Sequence, residues 1–374
     1  MNATPTDPSG LTRAIGLLSD PSSEGAIAAL TDTDGRDEVR VLGGIVHPYG
    51  RRLRWRVMEA TQNDLPTLEM LRLAQELTLH HAEAVRLLRE KFPEAAAGAQ
   101  VLGFQGHTVR HVPSEKLALE LGDPWQLSVA VGLPVVSDFR RHDMAIGGHG
   151  APLAAIFHWA LMAREPRPAL MLNVGHVASV TWLSRANEII AGDTGPGMEL
   201  LDEWVREMTD RPHDRDGAAS QLGRVHAEPA AAALEGPFFA RPLPKAADRN
   251  DFDHVDVSGL NAEDGAATLC AVIVEAFLAA AERLPELPPL LWVTGAGSEH
   301  PVIRALLEPH FEEVRNVSER GLDPRTLEAA CYAWMAVRHE RRLPITTPET
   351  TGCQSAQCAG FTTRLETWLP TDVV

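Results

Sequence analysis

The chain has 374 residues, 44% hydrophobic and 23% charged, with a formal net charge of -17. That length suits two domains, each able to bury its own core, and the acidic balance without a basic run argues against nucleic acid or an anionic membrane as partner. The four cysteines, Cys270, Cys331, Cys353 and Cys358, form no C-x-x-C pair, which points to free thiols in a reducing compartment and away from a cysteine metal site.

The start, MNATPTDPSG, is polar and reads as no leader segment, and no apolar run is read as long enough to span a bilayer, so a cytoplasmic location is expected. Residues 14–18 and 26–31 read as strands around the turn Ser19-Asp20-Pro21-Ser22-Ser23-Glu24-Gly25. Residues 39–47 and 53–58 continue a strand-rich, antiparallel opening. Leu71, Leu73, Ala74, Leu77, Leu79, Ala84, Leu87 and Leu88 recur at helical spacing through 67–92. His80 and His81 inside that helix read as packed or surface histidines rather than ligands. A strand at 100–104 leads into Gln105-Gly106-His107-Thr108, and 124–131 reads as a helix.

The stretch 133–153, LPVVSDFRRHDMAIGGHGAPL, opens with an apolar β-branched run. At its end sit Asp138, Arg140, Arg141 and Asp143, then a loop with Gly147, Gly148 and Gly150, then an apolar helix over 153–162. A charged cluster at a strand end beside a glycine loop is where α/β proteins place chemistry, although a polar strand-to-helix turn has the same composition. Strands follow at 169–173, 177–183 and 188–191, and a helix runs from the Asp193 turn to about Met208. Residues 211–253 read as surface loops around a short helix at 229–234. An apolar helix at 266–284, a strand at 289–293, and helices at 301–307 and 325–339 complete the pattern. The tail from 342 reads as extended or loop, and no internal repeat is visible in the sequence.

Three turns share one design: Asn173-Val174-Gly175-His176, Asp193-Thr194-Gly195-Pro196-Gly197 and Thr294-Gly295-Ala296-Gly297. Glycine lets the backbone turn sharply and approach a ligand, and N–H groups at such turns can cradle phosphate oxygens. None of the three is a P-loop or a dinucleotide fingerprint. One alone is most simply a turn; three in order favour a nucleotide cleft. Asp193 suits a water-mediated contact to Mg²⁺, with a helix N-cap or Asx turn as the plainer alternative.

The blocks GFQGHTVRHVP, LPVVSDFRRHDMAIGGHGAPL, LNVGHVASVTWL, DTGPGMELLDEW and LEAACYAWMAVR resemble the anhydro-N-acetylmuramic acid kinases, in family order from about residue 14 to residue 360. The resemblance implies an α/β, two-domain actin-like ATPase fold, with mixed sheets flanked by helices and a cleft between domains. The expected division is 1–132 for an N-terminal domain with the first phosphate loop, 133–345 for the catalytic strand and a nucleotide-binding domain, and 346–374 for a tail packing back on the first domain. The implied cofactors are ATP and Mg²⁺, the implied partner a small anhydro-amino sugar, and the implied assembly a homodimer. The implied reaction phosphorylates O6 of 1,6-anhydro-N-acetylmuramic acid while water opens the anhydro ring, giving N-acetylmuramic acid 6-phosphate. By the same resemblance Asp138 is the base that activates the water, Glu328 is a second catalytic candidate, and Gln105, Thr108 and Arg140 hold the sugar. The phosphates are expected at Ser19, Asp20, Ser22, Glu24, Gly25, Asn173, Gly175, Asp193, Thr194, Gly195, Gly197, Gly295 and Gly297, with Mg²⁺ held indirectly through Asp193 or Glu24.

The chain departs from the family pattern mainly on the phosphate side. The family's first loop reads Ser-Gly-Thr-Ser-x-Asp-Gly, where Asp20 here replaces the glycine, Pro21 the threonine and Glu24 the aspartate. Proline removes one backbone N–H from the cradle. A carboxylate about 4 Å from a triphosphate repels each unit charge by roughly 4 kcal/mol at an effective dielectric near 20. His176 stands for a glycine, His149 for a glutamine and Met198 for an asparagine, and Gln105 and His107 exchange the family's His-Gly-Gln order. Lys245-Ala246-Ala247 has lost two hydroxyls of the corresponding family segment. Two further readings stay open: an impaired homologue that binds a sugar or muropeptide, and a kinase of a different sugar acid or anhydro-sugar.

Overall fold

The computed structural model describes residues 10–364. The opening strands β1 (Thr12–Ser19), β2 (Gly25–Thr33) and β3 (Val39–Pro48) form an antiparallel meander, with Leu18 opposite Ile27 and Ala28 opposite Ile45. The last six residues of β1 are buried, as expected for a strand covered on both faces. Residues 53–58 are not a strand. They lie in the Arg51–Gln62 helix, whose buried residues Leu53, Val57 and Ala60 recur at i, i+4 and i+7. The arginines between them lie off that buried face.

β4 (Val101–Gln105) runs parallel to β1, and a hairpin of β5 (His107–Val112) and β6 (Leu117–Leu121) projects beyond it. β7 (Val135–Ser137) runs parallel to β4 in the same sheet. The strand that carries Asp138 at its end therefore belongs with the opening strands, not with the nucleotide-binding half that the expected boundary at 133 gave it. β8 (Ala169–Val174), β9 (Val177–Leu183) and β10 (Ile189–Pro196) form a second antiparallel meander. β11 (Leu290–Thr294) pairs parallel with β8, and β12 (Glu313–Asn316) with β11. β13 (Phe361–Thr363) closes the far edge of the first sheet against β7. The tail expected over 346–374 thus reaches the first sheet through β13, and its residues 365–374 lie outside the described residues.

The strand orders are β13-β7-β4-β1-β2-β3 and β10-β9-β8-β11-β12. In each sheet the first strand is central, the next two form an antiparallel flank, and two later strands run parallel on its other side. One plan is thus built twice, giving the mixed α/β architecture in two halves. Ligands of open α/β sheets sit beyond the carboxyl ends of such strands, where the turns after β1, β8 and β11 lie.

The Ala262–Ala281 helix is long and apolar enough to cross a membrane, contrary to the sequence reading, but it is mostly buried against the second sheet and is a core helix. The Pro324–Glu340 helix lies across the first sheet. It starts with proline at its first position after Asp323, whose carboxylate accepts the Arg325 N–H. It approaches so closely that a Cβ on Gly16 of β1 would stand 1.7 Å from the Ala329 carbonyl oxygen, and one on Gly103 of β4 would stand 1.9 Å from that of Tyr332. Backbone atoms cannot yield as a flexible side chain can. Gly103→Ala is therefore expected to destabilise the fold by about 3 kcal/mol, the upper end of ordinary overpacking. Scanning calorimetry should show a clear fall in the unfolding midpoint; an unchanged midpoint would mean that the helix lifts without cost.

Candidate active site

A cleft opens between the halves. Asp20, Pro21 and Ser22 line it from the turn after β1, Asn173, Gly175 and His176 from the β8–β9 hairpin, Thr294 and Gly295 from the turn after β11, and Glu328 from the Pro324–Glu340 helix. Gly295 has φ +89°, and a Cβ there would sit 2.5 Å from Asn173 Oδ1, so the turns after β8 and β11 touch backbone to side chain. Gly297 donates its N–H to the Val174 carbonyl at 2.9 Å. Asn173, Gly175, Gly295 and Gly297 are thus brought together as expected of one binding surface.

The first turn is held from behind. Ser19 Oγ bonds to the Tyr49 hydroxyl at 2.5 Å and to His107 Nδ1 at 2.9 Å, and His107 Nε2 reaches Thr61 Oγ1 at 3.2 Å. Burial pushes the His107 pKa down to about 4, so it acts there as a neutral imidazole. Within the turn, Asp20 Oδ1 accepts the Ser22 N–H at 3.3 Å. Burial, and then the Glu24 carboxylate, push the Asp20 pKa up. Glu24 itself is bound by Arg215 at 2.8 Å, His213 at 3.2 Å and Arg54 at 3.7 Å. It ties the first half to the segment after the Met198–Met208 helix, which leaves it poorly placed to serve Mg²⁺.

Beside the phosphate turns lies a polar chain. Gln105 Nε2 donates to Thr108 Oγ1 at 3.3 Å, and Thr108 Oγ1 donates to Glu120 Oε1 at 3.5 Å. Glu120 Oε1 accepts from Arg140 Nε at 2.9 Å, and Arg140 Nη1 donates to the Gly150 carbonyl at 2.6 Å. Both side chains of the ion pair are nearly buried, and Gln105 Oε1 is buried with no partner among the described residues. Burial alone would lower the Arg140 pKa; Glu120, with Tyr332 and Glu328, offsets that and raises it. Glu328 keeps solvent exposure on the cleft wall and is electrostatically coupled to Asp20 and to Arg140; desolvation by the surrounding walls and then Asp20 raise its pKa. Glu120 is the residue that sequence reasoning missed. Its signal was the alternation Leu117, Leu119, Leu121, which marks a strand with Glu120 on the opposite face.

The two aspartates of interest part company. Asp138 ends β7 with φ 63°, and its Oδ1 accepts from Arg141 Nε at 2.8 Å and Nη2 at 2.6 Å. That ion pair is solvent-accessible, with 35% of the Asp138 side chain and 58% of the Arg141 side chain exposed. Asp143 is fully buried and structural: it accepts the Gly150 N–H at 2.8 Å and the Thr351 hydroxyl at 2.7 Å. Asp193, expected at the phosphates, is instead electrostatically coupled to Arg140. Its Oδ2 accepts the Ala247 N–H at 2.9 Å, and burial pushes its pKa up to about 6 against the pull of that N–H, Arg140, Lys245 and Arg241. Lys245 donates to the Phe238 carbonyl at 2.9 Å and stands 4.1 Å over the Phe238 ring; burial pushes its pKa down to about 8. Thr194 and Gly195 also turn away from the phosphate side. Thr194 Oγ1 donates to the Ala178 carbonyl, and a Cβ on Gly195 would strike Ala276 of the Ala262–Ala281 helix. Gly197 serves the hairpin, donating its N–H to the His176 carbonyl at 3.1 Å.

The sequence profile of anhydro-N-acetylmuramic acid kinase matches residues 12–364. A protein of that name from Gluconobacter oxydans (strain 621H) is 40% identical over 360 residues, covering 93% of this chain and 98% of the relative. One from Acidiphilium cryptum (strain JF-5) is 40% identical over 358 residues, covering 93% and 97%. The chain belongs to the anhydro-N-acetylmuramic acid kinase family. Membership over the full cleft means that this family's site is built here with a carboxylate in its first turn and a histidine in its second.

The raised pKa of Asp193 has a stability consequence. A carboxyl whose folded pKa lies above its unfolded value contributes stability that is complete below pH 3.8 and lost as pH rises through about 6. Asp193→Asn removes that loss, so the variant should gain on the wild type by up to about 3 kcal/mol between pH 4 and pH 7.5. Thermal melts of both proteins across that range measure it; a difference independent of pH would contradict the burial argument.

Proposed function

We propose that this chain is an ATP-dependent kinase of 1,6-anhydro-N-acetylmuramic acid, forming N-acetylmuramic acid 6-phosphate and ADP. The observation that carries the mechanism is Asp193, a buried carboxyl held by the Ala247 N–H and electrostatically coupled to Arg140, with a pKa of about 6. A general base works best with a pKa near the working pH, and Asp193 fits that requirement better than Asp138, whose carboxylate is held by an exposed arginine.

In this reading the sugar lies on the Gln105–Thr108–Glu120–Arg140 chain. Asp193 takes a proton from water as the water oxygen bonds to C1. The C1–O6 bond breaks, and O6 bonds to the γ-phosphorus as its bond to the β-phosphate oxygen of ATP breaks, releasing ADP. Glu328, set between Asp20 and Arg140, borders both reacting ends and orients the O6 side. Asn173, Gly175, Gly295 and Gly297 hold the nucleotide. Positioning and charge stabilisation supply most of the rate in such transfers. Mg²⁺ neutralises developing phosphate charge when bound. The four free cysteines suit a cytoplasmic setting, and a homodimer is the assembly expected from the family.

The test is ADP release with and without 1,6-anhydro-N-acetylmuramic acid. Release should depend on the sugar, and Asp193→Asn should lower kcat by about 10²- to 10⁴-fold, the usual contribution of a general base. Asp138→Asn should stay within about tenfold of the wild type. The opposite ranking would return the role to Asp138; sugar-independent release would overturn the kinase reading.

A further inference from the structure

The turn after β1 has no N–H left to offer between residues 20 and 23. The Asp20 N–H donates to the Gly25 carbonyl at 2.8 Å, and the Ser23 N–H to the Asp20 carbonyl at 2.9 Å. The Ser22 N–H is taken by Asp20 Oδ1, and Pro21 has none. A phosphate chain entering this cleft would meet a carboxylate and no N–H donor from residues 20–23 of this turn, so another group on the cleft wall must supply what the turn does not.

His176 is the group placed to do so. It lines the same cleft as Asp20 and Ser22. Its Nε2 stands 3.0 Å from Glu199 Oε1. Its backbone is clamped, because its carbonyl accepts the Gly197 N–H at 3.1 Å and the Glu199 N–H at 3.3 Å. Its Nδ1 is shielded from solvent and has no hydrogen-bond partner among the described residues. A shielded ring nitrogen without a partner is a cost unless a ligand supplies one. Burial pulls the imidazole down, but Glu199, Asp20 and Asp202 together raise it, which favours the doubly protonated ring with Nδ1–H as a free donor.

We propose that the His176 ring binds the phosphate chain of the nucleotide directly, donating from Nδ1 to a phosphate oxygen and supplying the positive charge that lets this cleft accept a triphosphate despite Asp20. The proposal rests on the kinase reading only in taking the cleft as the nucleotide site. It makes two residues that break the family pattern, one in each half, a matched pair: His176 replaces a donor that the turn after β1 has lost. A ring that merely balances Asp20 would be needed only while Asp20 is present. A ring that touches phosphate is needed in either background.

Calorimetry on the full chain distinguishes these, with ATP–Mg²⁺ and with inorganic tripolyphosphate as a probe lacking the nucleoside. The proteins are the wild type, His176→Gly, Asp20→Gly and the double variant, with His176→Gln as a variant that keeps side-chain bulk. Both His176 variants should weaken ATP and tripolyphosphate by about tenfold or more, as expected for a lost charge-assisted hydrogen bond, and His176→Gly should do so in the Asp20→Gly background as well. Asp20→Gly alone should tighten both. KM for the sugar should stay within about twofold of the wild type, a split that general misfolding would not produce. Unchanged affinity in His176→Gly, or a loss confined to the Asp20-containing background, would overturn the proposal. Normal nucleotide binding in a wild type without sugar-dependent ADP release would sink the kinase reading while leaving the phosphate role of His176 standing.

Discussion

Contact between one helix and the backbone of two strands sets the geometry of this molecule. The Pro324–Glu340 helix can rest on β1 and β4 only because residues 16 and 103 carry no side chain. Gly16 lies three residues before Ser19, where the phosphate turn begins, and its partner Ala329 adjoins Glu328. One close approach therefore fixes the distance between the turn and the carboxylate that faces it. The helix is buried along most of its length, and Trp334, fully buried, donates its indole N–H to the Arg36 carbonyl at 3.0 Å. Glu328 thus sits on one of the most firmly held elements of the first half.

Around that helix the cleft separates its charges by function. Asp20 is electrostatically coupled to Glu24 and Glu328, with His176 and Arg215 as their basic neighbours. Elsewhere Glu120 is ion-paired with Arg140, to which Asp193 is electrostatically coupled. Carboxyls in different company acquire different proton affinities, which lets one remain a base while another stays an ion-pair partner. Burial pushes the Asp193 pKa up to about 6 against the pull of the Ala247 N–H and of Arg140, so it holds its proton more tightly than a free aspartate would.

Much of this was legible in the sequence. The apolar runs marked most strands of both sheets, and the glycine turns after β8 and β11 marked two walls of the cleft. The altered turn at Asp20 and Pro21 was also visible. The doubled strand plan was not, because two sheets can share an order without sharing residues. The Arg51–Gln62 helix was missed because its apolar face is narrow and its arginines interrupt the pattern. Strand 135–137 was assigned to the wrong half, since pairing partners of a short buried strand leave no local mark. The difference in surroundings between Asp138, expected as the base, and Asp193, expected at the phosphates, was hidden for a related reason. Both are carboxylates at strand ends near glycine, and only the fold shows that one meets Arg141 at the surface and the other is enclosed beside Arg140.

The central claim is that Asp193, ionised, draws the proton from the attacking water. The pH dependence of kcat between 5 and 8, at saturating ATP and sugar, tests it most directly. A base with a pKa of about 6 is active above that value, so kcat should fall through one proton as pH drops below about 6, and Asp138→Asn should leave that limb in place. A kcat that stays level down to pH 5, or a limb that disappears in Asp138→Asn, would contradict the account.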